Sequence, residues 1–173
     1  KIALDFIKAN AKKYGIPIEF FEKHDIHIHV PEGAVPKDGP SAGVTLTTAI
    51  VSALSGIPVR RDVAMTGEVT LRGRVLAIGG LREKTMAAYS AGAKTVLIPH
   101  DNQRDIEDID PMARENLQFI PCRKVSEVLS HALLPKKQEA KATVKESVAP
   151  TTAYIPLTPN QPQGSVRFSE TSN

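Results

Sequence analysis

The stretch Ser41-Ala-Gly-Val-Thr-Leu-Thr-Thr-Ala-Ile-Val-Ser-Ala-Leu54 carries no charged side chain. A helix without a polar face has to be covered nearly all round. The segment before it behaves in the opposite way. Pro31, Gly33, Pro36, Gly39 and Pro40 break regular structure throughout the approach to Ser41. A buried helix, entered through a helix-forbidding loop and closed by Gly56 and Pro58, is the fixed point around which the other elements must be arranged.

Those other elements alternate. Residues 1–14 place Ile2, Ala3, Phe6, Ile7, Ala11 and Tyr14 on one helical stripe, with Gly15 as the cap. Residues 25–30 alternate with period two and predict a strand. Residues 63–66 and 69–71 read as short strands, and Arg72-Gly73-Arg74 as a hairpin turn into a strand over 75–78. Gly79-Gly80 opens a helix over 81–91 that ends at Gly92. Thr95–Pro99 is an apolar strand, 102–116 holds one or two short helices, and 117–120 is another strand. Ser126 is placed to cap a last helix reaching Leu134. The predicted class is α/β (α+β), a mixed sheet packed with helices, over residues 1–134.

From residue 135 to 173 the composition shifts to Lys, Thr, Pro, Gln and Ser, with few apolar anchors. Ordering such a segment has little burial to offset it, so it is expected to be a disordered tail. The chain has 173 residues, a net charge of +3 and a pI of about 9.0, with no Lys/Arg cluster interleaved with aromatics. Nucleic-acid binding is therefore not indicated. Cys122, the only cysteine, excludes an intrachain disulfide and fits a reducing compartment. No apolar run approaches a membrane span. The first residues lack both a signal-peptide pattern and an initiator Met, and read as the interior of a longer polypeptide.

The chemistry concentrates at Pro36-Lys37-Asp38-Gly39-Pro40-Ser41-Ala42-Gly43. Three readings of Ser41 stand here: an ordinary helix cap, a phosphate site at a helix start, or a nucleophile. A nucleophilic serine needs a base. His24, His27, His29, His100 and His131 are available, with Asp38 conceivable as an orienter. So is Lys84, one turn into the helix opened by Gly79-Gly80, where burial would favour the neutral amine. The plain alternative for Lys84 is a solvated lysine beside Glu83. His27 and His29 share one face of their strand, but no third residue at metal-ligand spacing accompanies them, so no metal is expected.

The run His27-Ile-His-Val-Pro-Glu-Gly-Ala-Val-Pro-Lys-Asp-Gly-Pro-Ser-Ala-Gly43 resembles the nucleophile segment of Lon proteases. The likeness continues through Met65-Thr-Gly-Glu-Val-Thr-Leu-Arg-Gly73, Gly79-Gly-Leu-Arg-Glu-Lys84 and Val96-Leu-Ile-Pro99, and covers residues 1–134. It implies the Lon proteolytic fold, with several strands before residue 1 missing. It implies a Ser-Lys dyad in which Ser41 attacks the scissile carbonyl and Lys84 is the base. Thr66 matches a hydroxyl that orients the lysine, and Asp38 and Glu68 match acidic residues that tune the dyad.

The resemblance further implies an ATP-dependent serine endopeptidase that degrades unfolded, damaged and short-lived proteins in the bacterial cytoplasm as a homohexamer. ATP and Mg2+ would belong to an ATPase module elsewhere, since no G-x-x-x-x-G-K-[ST] loop occurs here and no cofactor is expected in these residues. Two other classes are set against this. A non-catalytic Lon-like assembly domain of a DNA-repair ATPase would lack the serine and lysine. A small-molecule kinase would need a metal-binding acidic motif that is not found.

Overall fold

The computed structural model describes residues 1–29, 40–135, 153–154 and 165–170. The irregular loop expected before Ser41 falls on residues 30–39, outside the described residues, and Asp38 lies there with it.

Helix α1 (Ile2–Ala9) buries Ala3, Phe6 and Ile7, the stripe read from the sequence. It is shorter than expected. The Asn10 amide donates back to the Phe6 carbonyl at 2.8 Å, competing with the main chain, and residues Ala11–Tyr14 continue as a 3-10 turn closed by left-handed Gly15. A short helix α2 (Phe20–Lys23), not anticipated, leads into strand β1 (His24–Ile28). The uncharged segment forms helix α3 (Gly43–Ser55), with Val44, Thr47, Thr48, Ile50 and Val51 buried and Gly56 closing it in the left-handed region.

The centre of the fold is a parallel sheet of β2 (Val63–Met65), β5 (Thr95–Pro99) and β6 (Gln118–Cys122), in the order β2-β5-β6. Between β2 and β5 the chain forms an antiparallel pair, β3 (Glu68–Val69) with β4 (Val75–Leu76), then helix α4 (Leu81–Ser90). Between β5 and β6 it forms a 3-10 segment (His100–Asp108) and helix α5 (Pro111–Asn116). Asp110 caps α5 by accepting from the Met112 amide at 2.9 Å, with Pro111 in the first turn.

All of β5 is buried, and its side chains alternate between two cores, as a strand covered on both faces requires. Leu97 joins the core of α1, α3 and helix α6 (Val125–Ala132), with Phe6, Ile7, Ile50, Val51, Val128 and Leu129. Val96 and Ile98 join the core of α4 and α5, with Leu81, Ala88, Ala113 and Leu117. Helices on both faces of a parallel sheet make the domain α/β, the class expected.

Two expectations are corrected. Ser126 does not cap α6. The helix begins at Val125 with Lys124 at its N-cap and no side-chain cap, and the Glu127 carboxylate reaches back to accept from the Arg123 amide at 2.6 Å. The segment after residue 134, expected to lack regular structure, contains strands β7 (Ala153–Tyr154) and β8 (Ser165–Glu170). β8 pairs antiparallel with β1 from His24↔Glu170 to Ile28↔Val166, and β7 pairs with its other side. The cause is local: Val166 and Phe168 alternate with polar residues, and β1 presents main-chain groups that a second strand satisfies.

Candidate active site

Ser41 lies in a 3-10 turn, Pro40–Ala42, that runs directly into α3. Its side chain is half-buried, and its main chain is held from outside the helix. The Ser41 carbonyl accepts from the Gly67 amide at 2.8 Å and from the Thr66 hydroxyl at 3.4 Å. The Val44 amide donates in return to the Gly67 carbonyl at 3.1 Å. One of the amides at the helix start, which could have faced an anion, is therefore already partnered.

This close seating of α3 on the β2–β3 connection depends on Gly43. A Cβ there would stand 2.8 Å from the Val69 amide nitrogen and 3.3 Å from the Gly67 carbonyl oxygen. Only a glycine lets the helix approach this backbone without displacing it.

Lys84 enters from the other core. It sits in the first turn of α4 and donates its amide to the Gly80 carbonyl at 3.2 Å. Gly80 has φ 69°, a left-handed conformation in which a side chain would be strained. The side chains of Glu83 and Lys84 fold back toward it. A Cβ on Gly80 would lie 3.3 Å from Glu83 Oε2 and 3.8 Å from Lys84 Nζ. That is the direction in which helical side chains lean.

Several expectations for the site change in detail. Lys84 is exposed, so the burial anticipated for it is not provided by these residues; α4 covers its apolar face with Leu81, Thr85 and Ala88 and leaves Lys84 on the outer one. Thr66 is buried at 8% exposure, but its hydroxyl donates to the Ser41 main chain and not to the lysine. Among the described residues no hydrogen bond joins the Ser41 hydroxyl to the Lys84 amine. Glu68 is half-buried at the start of β3, opposite Leu76. His27 and His29 are both exposed.

Cys122 is 1% exposed, and burial, reinforced by the nearby Glu127 carboxylate, pushes its thiol up to about 11. It is thus poorly suited to act as a nucleophile near neutral pH. Sequence reasoning passed over Gly43 and Gly67 as functional positions. Their signal is faint: small residues beside Ser41 and Thr66, where a helix start meets a strand end. Among the described residues no helix is long and apolar enough to cross a membrane.

Comparison with known proteins supplies the family. The profile of the Lon protease (S16) C-terminal proteolytic domain matches residues 1–135. The Lon protease of Brevibacillus choshinensis is 61% identical over 131 residues, which is 76% of this chain and 17% of that protein. Lon protease 1 of Bacillus subtilis (strain 168) is 57% identical over 136 residues, 79% of this chain and 18% of that protein. The Lon protease of Brucella abortus (strain 2308) is 52% identical over 145 residues, 84% of this chain and 18% of that protein. The chain thus spans under a fifth of the length of these relatives. With matches of this extent and identity, the chain belongs to the Lon protease (S16) C-terminal proteolytic domain family.

Proposed function

We propose that this chain is the peptide-cleaving domain of an ATP-dependent serine endopeptidase, with Ser41 as nucleophile and Lys84 as general base. The observation that carries the reading is the pairing of family membership with both residue types at the starts of two helices. In the proposed reaction the neutral Lys84 amine takes the Ser41 hydroxyl proton as Oγ attacks the scissile carbonyl carbon. The C–N bond then breaks, the leaving amine receives that proton, and water hydrolyses the resulting acyl ester.

Lys84 is exposed among the described residues, so the cover that shields the dyad is proposed to come from the rest of the polypeptide, bound peptide or a neighbouring copy. This fits a homohexameric, enclosed assembly in which access restricts cleavage of unfolded or damaged proteins. ATP and Mg2+ belong to a separate ATPase module of the same polypeptide, and the compartment proposed is the bacterial cytoplasm. Asp38 and Glu68 are proposed to tune the charge near Lys84, and Thr66 to support Ser41.

The test uses the enzyme carrying this domain, an unfolded casein substrate and excess ATP. Ser41→Ala should abolish cleavage while ATP hydrolysis continues. Lys84→Arg should be as damaging as Lys84→Ala, since arginine stays protonated and cannot accept the proton. Substantial cleavage by Ser41→Ala, or parent turnover by Lys84→Arg, would overturn the assignment.

A further inference from the structure

We infer that Asn102 is a positioning residue for Lys84, a conclusion that rests on the dyad proposed above. Asn102 is a polar side chain only 3% exposed, and both donors and the oxygen of its amide are engaged. Its Oδ1 accepts from the Ile78 amide at 2.9 Å, while its Nδ2 donates to the Ile78 carbonyl at 2.9 Å and to Asp105 Oδ2 at 2.6 Å. The first two bonds form a closed pair, in which the side chain grips one residue's main chain by both of its polar groups.

The gripped residue is the last before Gly79-Gly80. Strand β4 has already ended at Leu76, and α4 does not begin until Leu81. A Cβ at Gly79 would meet nothing within 4 Å, so packing does not restrain that point. Packing of Ile78 and Leu81 against the second core holds the two ends of this stretch, and without Asn102 the main chain between them, with two glycines, would lose its side-chain hydrogen-bond restraint. Lys84 lies in that first helical turn, with its amide on the Gly80 carbonyl and its amine folded back over Gly80. The Ile78 clamp thus adds to the core packing of α4 in holding the turn from which the amine projects, and the 3-10 segment that carries Asn102 packs directly against α4. Asn102 acts through the backbone and needs no contact with substrate.

Peptide hydrolysis by the enzyme carrying this domain tests the inference, with each variant assayed below its own unfolding temperature. Asn102→Ala should lower kcat by about tenfold or more while leaving KM within about twofold, the signature of a misplaced base rather than a damaged binding groove. Asn102→Asp keeps the shape but turns a donor into a repelling carboxylate at Ile78 and Asp105. It should lose kcat in the same way, and it carries the test if Asn102→Ala does not fold. Asp105→Ala removes only the outer bond and should retain most of the parent kcat. Parent kcat in a folded Asn102→Ala or Asn102→Asp enzyme, alongside an inactive Lys84→Ala, would overturn the clamp alone. Parent turnover by Lys84→Ala would overturn the dyad and this inference with it.

Discussion

Gly67 donates its amide to the main-chain carbonyl of Ser41 at 2.8 Å, and the adjacent Thr66 hydroxyl reaches the same oxygen at 3.4 Å. Two residues at the end of a strand of the parallel sheet thus hold the residue that enters the buried helix. The hydroxyl is the longer and more dispensable of the two bonds. Thr66→Val, which keeps the shape and removes the donor, should cost about 1 kcal/mol of stability. On the nucleophile reading of Ser41 it should also lower kcat for peptide hydrolysis. Denaturant midpoints and peptide kinetics measured together check this; parent values for both would show that Gly67 alone holds Ser41.

Gly43→Ala presses a methyl group to 2.8 Å from the Val69 amide nitrogen, and backbone, unlike the tip of a side chain, does not move aside cheaply. The helix start must lift from the β2–β3 connection, straining the Val44–Gly67 and Gly67–Ser41 bonds together. The expected loss is about 1–3 kcal/mol by thermal or chemical unfolding, typical of overpacking. Activity should fall further than stability does. A variant as stable and as active as the parent would contradict the close approach.

Cys122 gives the fold an alkaline limit. Its thiol is raised in the folded chain from 9.0 to about 11, so the fold favours the neutral form. That contribution is complete below pH 9 and is lost as pH rises toward 11, on the order of 2 kcal/mol in all. Cys122→Ala should start from a lower stability, for lost packing, and then decline less over this range. Tyr14, also raised by burial, acts in the same direction, so the difference between variant and parent is the quantity to follow. Parallel alkaline curves would remove Cys122 from the account.

The Tyr14 hydroxyl is buried and has no hydrogen-bond partner among the described residues, while its ring lies 6.4 Å from that of Phe6. Desolvating an unpaired hydroxyl is costly, and the ring packing does not need it. Tyr14→Phe should therefore raise stability by about 1 kcal/mol. A clear drop in unfolding temperature would point to an acceptor for that hydroxyl.

What could be read from sequence divides along physical lines. The Ser41–Leu54 segment announced a helix because it is an uninterrupted uncharged run, though with Thr45 exposed it is covered on one side and not all round. β5 was legible at both ends because Lys94 and His100 bracket the uncharged run Thr95–Pro99. Glycine punctuation at 15, 56 and 92 marked chain reversals that the structure places in the left-handed region. The short α2 escaped notice because Phe20-Phe21-Glu22-Lys23 is too brief to display a period. β8 escaped because Val166 and Phe168 alternate over only a few residues within a polar, proline-rich tail.

At the site, residue types were legible through the family likeness, but their partners were not. The Thr66 bond to Ser41 spans 25 positions and the Asn102 grip on Ile78 spans 24, and neither leaves a pattern in a single sequence. The exposure of Lys84 was equally hidden, since it depends on which side of α4 the second core covers.

The alternation along β5 has a mechanical consequence. Leu97 belongs to one core while Val96 and Ile98 belong to the other, so a single strand is the shared wall of both. Neither half can open without baring that wall, which couples the helix entered at Ser41 to the helix bearing Lys84 in one cooperative unit. Amide protons of β5 should accordingly exchange with solvent only through global unfolding, at the slowest rate in the domain. Damage to the packing of either half should quicken exchange in both.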